Sequence, residues 1–504
     1  MNSKETLASV KEKKRYKITT ICLATGLALV LSCNKSTTTN NNSASGTVKT
    51  DTTYNTLYIP PILTGTNFNL TLGKSSKSFF KTGGATNTYS YNGEPFWGPT
   101  LIFNKGDNIT FNITNALSDT TTIHWHGFHI PAKMDGGPHQ KIAPGTTWSP
   151  YFQIQNNAST YWYHPHLHEK TYQHLTMGAG GLIIIKDPIE SALSLPRTYG
   201  TDDIPLILTS RRFNSDNSFD TTVHDYGDYL LANGTIYPQI SLPKQYVRFR
   251  ILNAEIERAY NLGFSDNRSF YVIGNDGGLL DAPIAVTRMI LGVGERVEIL
   301  VNLGNDAVGS SLSLKAYNSG QTFGFPGGEP NSSGALGSLL NNKDFQILKI
   351  NVTAANTNAI TSIPTKLTIN TTLTAADANT SIATSITGGQ GGSEFAFDNN
   401  NYNYITINHT IPLNSTVNWT FTNSNIFGHS IHIHDIQFKI VSRSSGTIAP
   451  YESGWKDTYY LRLGETVSVV ARFSDFSDST SPYMYHCHFP NHEDGGLMGQ
   501  FLVK

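Results

Sequence analysis

Two distant stretches of the chain share one rhythm. DNITFNITNALSDTTTIHWHG (107–127) and NSTVNWTFTNSNIFGHSIHIHD (414–435) both contain an alternating run, apolar at Ile109, Phe111 and Ile113 and at Val417, Trp419 and Phe421. Side chains two apart on a strand share a face, so each run reads as a half-buried strand. Each run ends in Thr-Asn, and a His-x-His pair begins nine residues after that Asn: Asn115 to His124, Asn423 to His432. A third copy, KQYVRFRILNAEIERAYNLGF (244–264), keeps the strand and the Asn but not the histidines. Nine residues after Asn253 stands Leu262, with Phe264 two further on. A chain of 504 residues is too long for one ordinary core. The internal repeat divides it into three related β units, expected over 54–192, 193–355 and 356–504.

Composition agrees with an all-β fold. Thr, Ser, Asn and Gly are abundant and aromatics make up 11% of the chain, a mixture that favours strands and turns. Net charge is −1 with 14% charged residues, so no one-signed field points to nucleic acid. The N-terminus reads as a targeting segment. A basic stretch (11–17) precedes an apolar run (18–32) too short for a comfortable membrane span, and VLSC closes it at Cys33. The pattern resembles a bacterial lipoprotein signal over 1–33, cleaved before Cys33, whose thiol then takes the lipid. A plain secretory signal or an uncleaved anchor are the alternatives. Residues 34–53 are polar and of low complexity, and read as a flexible tether. The expected location is periplasmic, with a lipid anchor.

Of three cysteines, Cys22 lies in the apolar run and Cys33 closes it, which leaves Cys487 alone in the folded part. Fourteen of the sixteen histidines fall within 124–139, 164–174, 429–434 and 486–492. Each window holds one His-x-His pair: His124/His126, His164/His166, His432/His434 and His486/His488. On a strand, both imidazoles of a pair face one way. In His486-Cys487-His488 the thiol then faces the other way, so one tripeptide serves two sites. A nucleophilic Cys–His pair is the rival reading, but it has no use for eight histidines in four pairs. Thiolate with imidazole suits copper, and also zinc. YWYHPH (161–166) and YMYHCH (483–488) share a Tyr-x-Tyr-His-x-His frame, with Pro165 standing where the other has Cys487.

The motifs HWHG (124–127), MDGGP (134–138), YHPH (163–166), HSIHIH (429–434), GWKDT (454–458) and HCHFPNHED (486–494) together resemble the multicopper oxidase family. The nearest likeness is to its bacterial three-domain branch of laccases, bilirubin oxidases and cuprous oxidases. That resemblance implies three cupredoxin-like Greek-key β-barrel or sandwich domains and four copper ions. A type 1 ion would take Cys487, His429 and His492. A type 2 ion would take His124 and His432. A binuclear type 3 pair would take His126, His164, His166, His434, His486 and His488. It also implies that Asp135 and Glu493 relay protons during the reduction of dioxygen to water; a plain turn residue is the alternative for Asp135. Asp494 is expected to be structural, and His129, His139, His168 and His174 to be surface or supporting imidazoles. The expected partners are dioxygen and a small aromatic reductant or Cu(I), and the expected state is a monomer.

Two positions depart from the family pattern. Ser430 stands where proline is common. Leu497 occupies the axial position five residues after His492, where many bacterial members have methionine, with Met498 next. Only six methionines are present and none are clustered, unlike the methionine-rich cuprous oxidases. The expected substrates are therefore phenols, aromatic amines or bilirubin-type molecules. A cuprous oxidase, or a copper-binding protein for copper tolerance, is the alternative. A cell-division scaffold on the same fold is a third reading, though scaffold relatives have lost the ligands that this chain retains.

Overall fold

A computed structural model describes residues 53–222, 226–330, 337–389 and 394–504. The expected signal with Cys33, and residues 34–52 of the tether, lie outside the described residues. The described chain is almost all strand, in six sheets that form three packed pairs. This is the all-β, cupredoxin-like architecture that the resemblance implies. Among the described residues no helix is long and apolar enough to cross a membrane.

The first and last pairs set the site. One sheet of the first pair runs Ile62–Thr64, Thr100–Asn104, Gly181–Lys186, Ser159–His164 and His124–His126. Its counterpart in the last pair runs His409–Ile411, Met498–Val503, Asp478–Cys487, His429–Ile433 and Thr458–Leu461. In each, two histidine strands lie side by side and antiparallel. His164 stands opposite His124, and His486 opposite His432.

The repeated Asn has a physical role. Asn115, Asn253 and Asn423 are each almost wholly buried. Each Oδ1 accepts from the backbone N–H two residues on, in Leu117, Glu255 and Asn425. Each Nδ2 donates to two carbonyls: Asp119 and Ile142, Arg258 and Leu291, Phe427 and Arg462. The amide thus satisfies the buried turn between the first strand and the strand nine residues on. In the middle unit that later strand, Tyr260–Phe264, puts Leu262 and Phe264 into the core where the outer units hold imidazoles.

Two segments at the unit edges pack against the middle unit. Asn55–Thr56 pairs in parallel with Pro238–Pro243 of the middle unit, and Leu57 is buried in that unit's core. At the other end Leu367 also packs into the middle core, and its amide donates to Asp281 O. The strands of the three pairs, apart from Asn55–Thr56, lie within 62–186, 203–353 and 380–503. Isolated apolar residues such as Leu57 and Leu367 have no period by which a sequence reveals the core they join.

Candidate metal centre

The four His-x-His pairs meet. His124 and His126 lie on a short buried strand, His432 on His429–Ile433 with His434 just beyond it, and His164 and His486 on their own strands with His166 and His488 following. All eight are buried. The nitrogens of His166, His434 and His486 form one close group: His166 Nε2 lies 3.2 Å from His434 Nε2 and 3.1 Å from His486 Nε2. A second group joins His126 Nδ1 to His164 Nε2 at 3.3 Å and to His488 Nε2 at 3.1 Å. His124 and His432 complete the set; both Nε2 atoms are buried with no hydrogen-bond partner.

Hydrogen-bond partners set the tautomers of these rings. The Nδ1–H groups of His124, His164, His432 and His486 donate to the carbonyls of Asp135, Pro165, Asp457 and Cys487 at 2.9, 2.9, 2.8 and 3.0 Å. His434 Nδ1 donates to Asp135 Oδ2 at 2.7 Å. Their Nε2 atoms are therefore lone pairs. Burial, then the neighbouring imidazoles, push His164, His166, His432 and His486 well below the usual histidine range. Burial likewise takes His434 down to about 4 and His488 to about 3. Neutral imidazoles whose lone pairs face one another at such distances repel unless a cation lies among them. Nitrogens about 2.0–2.1 Å from one ion stand about 3.3 Å apart, so the spacings suit metal ligation.

On the other face of the same strand Cys487 Sγ lies 3.5 Å from His429 Nδ1 and 3.7 Å from His492 Nδ1. Cys487 is fully buried in the apolar core of the last unit, which also contains Leu497. Met498 packs elsewhere, with Met484 and Tyr402. One thiolate and two imidazoles beside a leucine are a donor set that suits copper. His492 is the least buried residue of this group, and its Nε2 lies 3.2 Å from Glu257 Oε1 of the middle unit. Phe395 packs against the rings of both His429 and His492.

Two carboxylates flank the histidines and are shifted in opposite directions. Burial raises Asp135, but the imidazoles of His434 and His124 outweigh it and hold the group well below the usual carboxylate range. Glu493 is pushed well above that range by burial and by Asp494. Its Oε1 accepts from Thr171 Oγ1 at 2.7 Å and lies 3.1 Å from His166 Nδ1; its Oε2 lies 3.4 Å from His486 Nδ1. Asp494 accepts from the amides of Thr171 and Tyr172 and caps the helix Thr171–Met177.

Among the described residues none of the other histidines joins these groups. His129 bridges Asp435 and Asp475 at 2.9 Å each. Burial lowers it, but Asp435 and then Asp475 outweigh burial and raise it to about 10. His139 meets Gln500, His168 stacks edge-on against Tyr402, and the buried His174 meets Thr121. Sequence reasoning missed Glu257, Arg296 and Asp457. Asp457 stands inside GWKDT, which marked the motif but not the contact; Arg296 and Glu257 stand in the unit without ligands and carry no spacing signal.

The family model for multicopper oxidases matches residues 74–190 and 362–504. Multicopper oxidase Mco of Staphylococcus aureus is 31% identical over 445 residues, covering 87% of this chain and 88% of that one. The chain belongs to the multicopper oxidase family. Multicopper oxidases are copper oxidoreductases that use dioxygen and a reducing substrate, so copper is the metal these residues suit. The fold is that of multicopper oxidase McoA from Aquifex aeolicus, with a TM-score of 0.81 at 28% identity over 90% of this chain and all of that one. A bilirubin oxidase of Albifimbria verrucaria is 29% identical, covering 80% of this chain and 71% of that one. Cell division protein FtsP of Escherichia coli is 28% identical over 89% and 92%.

Proposed function

We propose that this multicopper oxidase is laccase-like and couples four one-electron oxidations of phenolic, aromatic-amine or bilirubin-type substrates to the reduction of dioxygen to water. Four copper ions are assigned: a type 1 ion to Cys487, His429 and His492; a type 2 ion to His124 and His432; a type 3 pair to His126, His164 and His488 on one side and His166, His434 and His486 on the other. When bound, copper supplies the one-electron redox chemistry and the binding of dioxygen. The observation that carries the reading is the tripeptide 486–488, whose cysteine belongs to one group while His486 and His488 each belong to one of the two histidine groups on the other face. His492, at the edge of the thiolate group, is the ligand a substrate can approach. The strand then leads an electron from Cys487 to His486 and His488 through a few covalent bonds.

The chain also handles protons. Burial pushes Glu493 toward its protonated form, and it is proposed to give protons up beside His166 and His486. Asp135 is held ionised and is proposed to accept and pass them beside His124 and His434. Two carboxylates driven apart in this way suit an acid and a base. The presence of all eleven proposed ligands, brought together and all buried except the partly exposed His492, supports an oxidase over a scaffold without ligands. Oxygen uptake by the copper-loaded protein, measured with phenols, aromatic amines, bilirubin and Cu(I), tests the reading. Uptake with aromatic donors is expected, at four electrons per dioxygen. Uptake with Cu(I) alone would make it a cuprous oxidase, and no uptake with any donor would refute the reading.

The proposed location is periplasmic, on a lipidated Cys33. Cys33→Ala is expected to move the protein from the membrane fraction to the soluble one; unchanged fractionation would refute the anchor.

A further inference from the structure

His126 is turned differently from its neighbours. Where contacts fix the rings of His124, His164, His432, His434 and His486, Nδ1 is tied back to the protein and Nε2 is left for the cluster. His126 offers Nδ1 to His164 and His488, while its Nε2–H donates to Asp457 Oδ1 at 3.1 Å and to Thr458 Oγ1 at 3.0 Å. The Thr458 hydroxyl itself donates to Asp457 Oδ1 at 2.9 Å, so its oxygen accepts from the imidazole.

Asp457 does not hold this position alone. Arg296 of the middle unit grips it with a fork, Nη1 to Oδ1 at 2.7 Å and Nη2 to Oδ2 at 2.6 Å, and both side chains are fully buried. The same guanidinium donates through Nε to Thr160 O of the first unit at 3.1 Å, so it touches all three units. The packing leaves no slack. A Cβ on Gly127, next to His126, would lie 2.3 Å from Asp457 Oδ2 and 2.7 Å from Arg296 Nη2. A Cβ on Gly294, two residues before Arg296, would lie 2.8 Å from the ring of His488. Both glycines adopt positive φ.

We propose that Arg296 is a positioning residue for the copper cluster: by fixing Asp457 it fixes the tautomer and the turn of His126, so the ligand-free middle unit supports the metal site. The physical reason is electrostatic and geometric. A buried carboxylate persists as an acceptor only when paired. A fork on both oxygens also fixes the plane in which Oδ1 meets the imidazole. Groups behind metal-ligating histidines set tautomer and orientation, and their loss typically costs about 10–100-fold in metal affinity or activity.

This inference rests on the copper reading above, and the test separates the two. Copper content and competition against a graded chelator are measured on the full chain for wild type, Arg296→Lys and Asp457→Asn. Glu298→Gln serves as the control, because Glu298 is a buried carboxylate on the same strand whose hydrogen bonds among the described residues go to Arg248, Arg250 and Thr160 rather than to a histidine. Arg296→Lys keeps the charge and loses the fork; Asp457→Asn keeps the shape and decides the matter if the lysine variant does not fold. Both are expected to bind cluster copper about 10–100-fold more weakly while keeping the visible absorption of the thiolate site; Glu298→Gln is expected to match wild type. Wild-type copper affinity in Asp457→Asn, or an equal loss in Glu298→Gln, would overturn the inference. Wild-type protein that takes up copper only at the thiolate site would overturn the functional reading and the inference with it.

Discussion

The strands Ser159–His164 and Asp478–Cys487 carry the same Tyr-x-Tyr-His-x-His frame, and they differ at the residue between the histidines. The carbonyl of that residue does the same thing in both: Pro165 O accepts from His164 Nδ1 at 2.9 Å, and Cys487 O from His486 Nδ1 at 3.0 Å. The next amide is tied down in both, His166 N to Thr122 Oγ1 at 2.7 Å and His488 N to Ser430 O at 2.6 Å. What differs is the amide and side chain of the middle residue. Cys487 N–H donates to Leu497 O at 3.1 Å, a bond that proline has no hydrogen to make. That bond joins the cysteine to the axial segment, and the thiol on the far face completes a second group with His429 and His492. One backbone frame thus serves the histidine groups twice, and Cys487 with His429 and His492 adds a further group to one copy only.

The largest expected effect comes from the two carboxylates proposed to carry protons. Asp135→Asn and Glu493→Gln should each slow reoxidation of the reduced enzyme by dioxygen by about 10²–10⁴-fold, the usual worth of a positioned acid or base. Reduction of the thiolate site by substrate should be unchanged, because neither carboxylate touches Cys487, His429 or His492. Stopped-flow traces of the two half-reactions check this; reoxidation as fast as wild type would leave Asp135 a turn residue. A smaller effect is expected at the axial position. A thioether donates to Cu(II) and lowers the potential, and leucine does not. In redox titration Leu497→Met should lower the potential of the thiolate site, while Met498→Leu should barely move it, since Met498 packs with Met484 and Tyr402. The opposite pattern would make Met498 the axial residue. Smallest of all is Pro165→Ala, which keeps the carbonyl that holds His164. It should leave copper content unchanged and cost about 0.4–1 kcal/mol of stability through a freer unfolded chain. Loss of cluster copper in this variant would show that the two copies are not equivalent at the carbonyl.

The clustering of the histidines was legible because a strand has period two: a His-x-His pair must face one way, and a residue between must face the other. The three-unit plan was legible because Asn115, Asn253 and Asn423 perform one local task that fixes a nine-residue count. Asp135 and Glu493 were accessible through the resemblance, whereas the opposite directions in which they are shifted come from burial and from charges that only the fold assembles. Arg296 and Asp457 are 161 residues apart and belong to different units. No periodicity links them, because their contact is made by the packing of one unit against another. The same holds for Glu257 beside His492, and for Leu57 and Leu367, which cross to the middle core.

The central claim is that one tripeptide serves two copper sites from its two faces. Copper per chain, together with the visible absorption of wild type and Cys487→Ser, tests it directly. Wild type is expected to hold four coppers with a strong thiolate band, and Cys487→Ser to hold three, colourless at that band, with the cluster intact. A fully loaded wild type without the band, or a serine variant that loses the cluster copper as well, would contradict it.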